Sequence, residues 1–161
     1  MNKKTKQINK NLPAPLLYNR ILAIDPSKVM YSKKLRQDLL NEIKKEQLKS
    51  LPSYKQHVRL LHQSTEGLRD LFEGEGEVLY PETPLPDISL CEHNTRTVVS
   101  DENPTTGEKR KTLRVILGLI DQLDMNIWLK EFCLLNNLPY HQRVFHVSIA
   151  TLTGKPGSSC R

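Results

Sequence analysis

Val144-Phe145-His146-Val147-Ser148-Ile149-Ala150-Thr151 reads as a strand, because its alternation puts Phe145, Val147 and Ile149 on one face and His146, Ser148 and Ala150 on the other. The apolar face calls for a core behind it. The other face projects an imidazole and a hydroxyl at a spacing that the strand itself fixes. Immediately upstream, residues 121–138 carry Met125, Trp128, Leu129, Phe132 and Leu135 along one stripe, with Asp121 as a cap and Asn137 and Pro139 as the stop. That pattern predicts a helix, with Trp128 and Phe132 in the core rather than serving as stacking platforms.

Further upstream, Leu113-Arg114-Val115-Ile116-Leu117-Gly118-Leu119 looks like the hairpin partner of a strand that starts at Asp87 and could run as far as Val99. The turn cluster Asp101-Glu102-Asn103-Pro104-Thr105-Thr106-Gly107 lies between them. In the first half, residues 16–24 read as a strand ended by Asp25-Pro26-Ser27, and residues 29–49 as an amphipathic helix. Past Pro52, a second helical stripe is predicted over 53–72 through Val58, Leu61, Leu68 and Phe72. Glu73-Gly74-Glu75-Gly76-Glu77 is an acidic loop, residues 78–80 pair briefly, and Pro81, Pro84 and Pro86 hold the chain extended. The order strand, helix, helix, strand, strand, helix, strand predicts an α+β fold, a largely antiparallel sheet with helices packed on one face.

At 161 residues and 18.5 kDa, one domain is expected over 13–153, between a basic disordered tail at 1–12 and a flexible Gly, Pro and Ser-containing tail at 154–161. A net charge of +6 favours polyanionic partners, RNA or nucleotides. The plainer reading is a solvated lysine tail, since Lys3, Lys4, Lys6 and Lys10 fall in the first ten residues. Cys91, Cys133 and Cys160 lack metal-ligand spacing; Cys91 and Cys133 are expected as buried apolar residues and Cys160 as an exposed one. With no signal-peptide pattern and no apolar run long enough to span a bilayer, the expectation is a cytoplasmic monomer without a membrane partner.

Three of the five histidines are followed two residues later by Ser or Thr: His62 and Ser64, His93 and Thr95, His146 and Ser148. Two such pairs facing one groove can work on a phosphodiester without a metal or other cofactor. One neutral imidazole takes a proton from water or a 2′-hydroxyl, the other hands a proton to the departing oxygen, and the hydroxyls bind the non-bridging oxygens.

Phe145-His146-Val147-Ser148-Ile149 resembles the second signature, apolar-His-apolar-Ser/Thr-apolar, of the two-histidine phosphoesterase superfamily, the 2′-5′ RNA ligase and cyclic phosphodiesterase group. The helix ending just before the motif is part of the likeness, which covers the last half of the chain. The resemblance implies an α+β fold with two such motifs across a cleft, acting on RNA ends, cyclic phosphates or oligonucleotides. The end of the chain 13 residues after Ser148 implies a compact member.

For the first motif two choices stand. His93-Asn94-Thr95 restores a second imidazole, though its flanks are polar. Pro86-Asp87-Ile88-Ser89-Leu90 has the apolar alternation but carries Asp where the family has His, and would leave Asp87 as a lone base or the site able only to bind. His93 and Thr95 are taken with His146 and Ser148 as the catalytic set, and Ser89 and Arg96 as substrate-binding. His62 and Ser64 are set aside because residues two apart on a helix do not share a face. His57 and His141 have no partner pattern, and no stretch has the Gly-Lys-Ser/Thr order of a phosphate loop.

The competing reading, from another class, is a non-catalytic basic module for nucleic acid or an acidic protein. In it, the Lys-rich tail and the hairpin, with Arg96, Lys109, Arg110, Lys111 and Arg114 tracking a phosphate backbone, do the binding and His146 is an ordinary strand residue.

Overall fold

The computed structural model describes residues 16–18 and 21–156. Among them the chain forms β1 (Leu16–Tyr18), β2 (Ile21–Ile24), β3 (Val29–Tyr31), α1 (Lys33–Lys45), β4 (Lys49–Ser50) and β5 (Val58–Leu61). There follow α2 (Leu68–Glu73), β6 (Ile88–Leu90), β7 (Arg96–Glu102), β8 (Lys109–Ile116), α3 (Leu119–Leu135) and β9 (His146–Thr151). The main sheet has the order β1-β2-β5-β9-β8-β7, antiparallel between all neighbours, with β4 also paired to β9. β3 and β6 form a separate parallel pair.

β9 is central. Its one edge pairs with β8, and its other edge takes β4 at Lys49 and Ser50, then β5 at Val58 opposite Val147. Between these contacts the chain leaves the edge: Leu51 N–H still donates to the Ile149 carbonyl at 2.8 Å, then Pro52 turns it out through a single 3-10 turn at Ser53–Lys55. This detour becomes a wall of the site described below.

One sheet face supplies Leu22, Ile24, Val58, Leu60, Val115, Val147 and Ile149 to a continuous core. Leu35 and Leu39 of α1 and Met125, Trp128, Leu129, Phe132 and Cys133 of α3 complete it. The α+β expectation holds, and Met125, Trp128, Leu129 and Phe132 of the α3 stripe are buried, the Trp128 and Phe132 rings stacked with centroids 5.3 Å apart; Leu135 is exposed instead, and the helix is capped at Gly118 with Asp121 inside its first turn. Asn137, at φ 61°, stands just past the end of that helix.

α3 is sewn to the segment before β9 by two amides one turn apart. Gln122 donates to the carbonyls of Leu117 and Phe145 and accepts from Phe145 N–H at 2.7 Å. Asn126 donates to the Arg143 carbonyl at 2.9 Å and accepts from Arg143 N–H and the Tyr140 hydroxyl. Residues 139–145 make no regular ladder, so these side chains stand in for one.

Several local expectations are corrected. The helix predicted over 53–72 is instead a 3-10 turn, the strand β5, a turn at 62–65 and the short α2. Val58 and Leu61 have helical spacing, but the alternation of Val58 and Leu60 against His57 and Arg59 prevails because β2 and β9 flank the segment. Residues 29–31 pair with β6, and the helix starts only after Ser32, whose hydroxyl accepts from Leu35 N–H. Residues 16–24 contain two strands of a hairpin rather than one. The strand expected from 87 to 99 is broken at 91–94, where Asn94 accepts from Cys91 N–H and donates to the Ile116 carbonyl, so β6 and β7 enter different sheets.

The hairpin of β7 and β8 holds in unbroken register from Arg96 opposite Val115 to Glu102 opposite Lys109. Cys133 is buried and Cys91 half-buried. The expectations for residues 1–12 and for Cys160 lie outside the described residues. At the other end, residues 154–156 are tied down: Gly154 N–H donates to Thr151 Oγ1, which donates to the Lys155 carbonyl. Gly154 has φ +75°, and a Cβ there would stand 3.3 Å from the Ser50 carbonyl oxygen, so the close return along β4 favours glycine. Among the described residues no helix is long and apolar enough to cross a membrane.

Replacing Gln122 by Ala leaves the Phe145 N–H without its partner, while the Phe145 carbonyl keeps Leu117 N–H, at a cost of about 1–3 kcal/mol. Urea unfolding should show a lower midpoint at unchanged slope; an unshifted midpoint would mean that the amide contributes nothing.

Candidate functional site

Strand alternation decides which side chains reach the sheet's other face. With Val58 opposite Val147, the antiparallel register sets Arg59 beside His146 and His57 beside Ser148, while Arg114 on β8 pairs with Ser148 from the opposite edge. All five line a cavity of about 390 Å³, within the usual size for small-ligand sites. The detour at 52–57 contributes Lys55, and Pro156 of the Gly154 return forms part of the rim. Arg143, Val144 and His62 line it as well.

Among the described residues the lining holds four cations, Lys55, Arg59, Arg114 and Arg143, three imidazoles and no carboxylate. Burial, then the charges of Arg114 and Arg59, push His146 down to about 4. Burial, then Arg59 and Lys55, bring His57 to about 4 as well. Both rings are therefore neutral near pH 7. Extending the register of Val58 opposite Val147 by one residue makes His57, just before β5, a diagonal neighbour of His146 on β9, for which a Cα separation of about 7–8 Å is typical. Two imidazoles at that spacing can flank one tetrahedral anion. Nδ1 of His62 accepts from Ser64 N–H at 3.1 Å and lies 2.8 Å from Ser64 Oγ, which leaves the ring proton of its neutral form on Nε2. Among the described residues no three His, Cys, Asp or Glu groups gather as metal ligands would.

The residues expected from the sequence divide. His146 and Ser148 lie together in the cavity. His93 and Thr95 do not join them: the break at 91–94 puts both on the exposed turn leading into β7. Ser89 is exposed on β6, in the other sheet. Arg96 is occupied elsewhere, bridging to Asp38 and Glu42 of α1 and donating to the carbonyls of Glu92 and Asn94. Of the hairpin cations, Arg110 pairs with Asp101 and Lys111 with Glu46. His62 and Ser64, set aside as helical, meet in a turn.

The sequence reading missed His57. Its signal is the run His57-Val58-Arg59-Leu60, which repeats the alternation of His146-Val147-Ser148-Ile149 with arginine where the second motif has its hydroxyl. The helical spacing read over 53–72 hid it. Comparison with family models, with curated proteins and with solved structures finds no match.

The depressed imidazoles carry a stability consequence. The unfolded chain takes up protons near pH 6.5, whereas the folded site resists them until about pH 4, so stability is full above 6.5 and declines as pH falls toward 4. The melting temperature should drop across that window, and His57→Gln with His146→Gln should flatten the drop. Inorganic phosphate should move both imidazole titrations upward in an NMR pH series. Titrations that ignore phosphate would show that the cavity does not hold the anion.

Proposed function

We propose that the chain is a phosphodiesterase of the two-histidine type, acting on RNA ends or on cyclic or oligomeric nucleotides, with His57 rather than His93 as the counterpart of His146. One observation carries this reading: His57, just before β5, and His146, at the start of β9, line one cavity as neutral imidazoles beside Lys55, Arg59 and Arg114. The likeness of Phe145-His146-Val147-Ser148-Ile149 to the family's second signature supports it.

A phosphodiester held between the rings is attacked by water or by a 2′-hydroxyl. The neutral imidazole on the nucleophile's side takes its proton as the new P–O bond forms. The protonated imidazole on the other side gives a proton to the departing oxygen as the old bond breaks. Ser148 donates to a non-bridging oxygen, and Arg59 and Arg114 balance the charge that develops there. Arg59 fills with a fixed charge the place where the family's motif has a hydroxyl.

A bound phosphodiester also changes the protonation balance of the rings. Its charge favours the imidazolium that burial and the charges of Lys55, Arg59 and Arg114 disfavour, so the catalytic acid forms with the substrate present. Free enzyme near neutral pH has little of the singly protonated pair. kcat/KM should therefore rise as pH falls from 8 toward 5, by up to about tenfold per unit. A profile flat over that range would refute the paired-imidazole mechanism.

The decisive assay follows release of product from 2′,3′-cyclic nucleotides and short RNA. His57→Ala and His146→Ala should each cut turnover by about 100-fold or more while nucleotide affinity changes little. His93→Ala should leave turnover unchanged, and Arg96→Ala should lower only stability. If both cavity variants keep full activity, the catalytic reading fails; if the wild type binds nucleotides but cleaves none, the basic binding module takes its place.

A further inference from the structure

The proposed chemistry uses one part of the cavity, and Arg143 stands at another. Its Nη1 donates to the Leu60 carbonyl at 3.0 Å and its Nε to the His141 carbonyl at 3.1 Å. Its backbone is gripped by Asn126 on both sides, through N–H and carbonyl. A guanidinium held in this way has given up its rotamer freedom before any ligand arrives, and it has five donors, of which these contacts engage two nitrogens.

Leu60 lies three residues along from His57, about 10 Å at the usual rise of a strand. In the register of β5 on β9 the Leu60 carbonyl lies beyond the Arg59 and His146 pair, so Arg143 stands outside the span between the two rings, at its His146 end. The charges felt by the two imidazoles are consistent with this: they come from Arg59, Lys55 and Arg114, whereas Arg143 acts on Cys133 and Tyr140. Ile21 and Val144 add apolar surface to the same lining, suited to a sugar or base between two anions.

We infer that Arg143 forms a subsite for a second phosphate, so that the cavity selects nucleotides bearing another phosphate close to the scissile one. The inference rests on the phosphodiesterase reading for the position of that scissile phosphate. Asn126 is a positioning residue in this arrangement, acting through the backbone of Arg143.

Calorimetry with adenosine 3′,5′-bisphosphate and adenosine 3′-monophosphate tests the subsite without requiring turnover. Wild type should prefer the bisphosphate, and Arg143→Gln should weaken it by about 10–100-fold, the range for a lost charged hydrogen bond, while the monophosphate stays within about twofold. Arg143→Lys should restore part of the preference, and Asn126→Ala should reduce it while the chain remains folded by circular dichroism. Equal weakening of both ligands would place Arg143 at the scissile phosphate and overturn the subsite. Lack of any bisphosphate preference in a protein that still cleaves cyclic nucleotides through His57 and His146 overturns the subsite alone. A preference that depends on Arg143, in a protein that cleaves nothing, supports the subsite and rejects the catalytic reading.

Discussion

The hydrogen bonding of β9 along both edges is the constraint on which the site depends. Side chains alternate with period two, so a slip of one residue would turn His146 and Ser148 into the core and expose Val147 and Ile149. β8 on one side and β4 with β5 on the other exclude that slip, since Val147 is locked opposite both Val115 and Val58. The apolar face then packs under α3, and the polar face has no choice but to open into the cavity. Fold and site are two sides of one register.

Electrostatics impose a second condition. Lys55, Arg59 and Arg114, gathered in one lining, help burial to keep the rings of His57 and His146 neutral. An anion placed among them would favour protonation of both rings. On the hairpin and its approach the cations pair with neighbouring carboxylates, Arg96 with Asp38 and Glu42, Arg110 with Asp101, Lys111 with Glu46.

How much of this could be read from the residues differs from one element to the next. Strand β9, the β7–β8 hairpin and the stripe of α3 carry strong periodic signals, and they were legible. β5 was not, because Val58, Leu61, Leu68 and Phe72 also satisfy a helical period, and only the neighbouring strands β2 and β9 decide between the two. The same ambiguity concealed His57. The pairing of His93 with His146 failed for a different reason: nothing local announces that Asn94 breaks the strand by bonding Cys91 and Ile116. Half of the candidate site was visible as a motif, and the other half exists only through tertiary pairing.

The stitching of α3 to residues 143 and 145 by Gln122 and Asn126 has a further consequence, for how this region can change over evolutionary time. Because each amide meets donor and acceptor of one particular residue, the connection from the end of α3 to β9 has a fixed contour length. Adding or deleting a single amino acid there would unseat both amides at once and misalign the following strand. Length variation is better absorbed at the exposed tip of the β7–β8 hairpin, where residues 103–108 hold only one another. Related chains should therefore differ in size at that tip while keeping the interval from Gln122 to His146 constant.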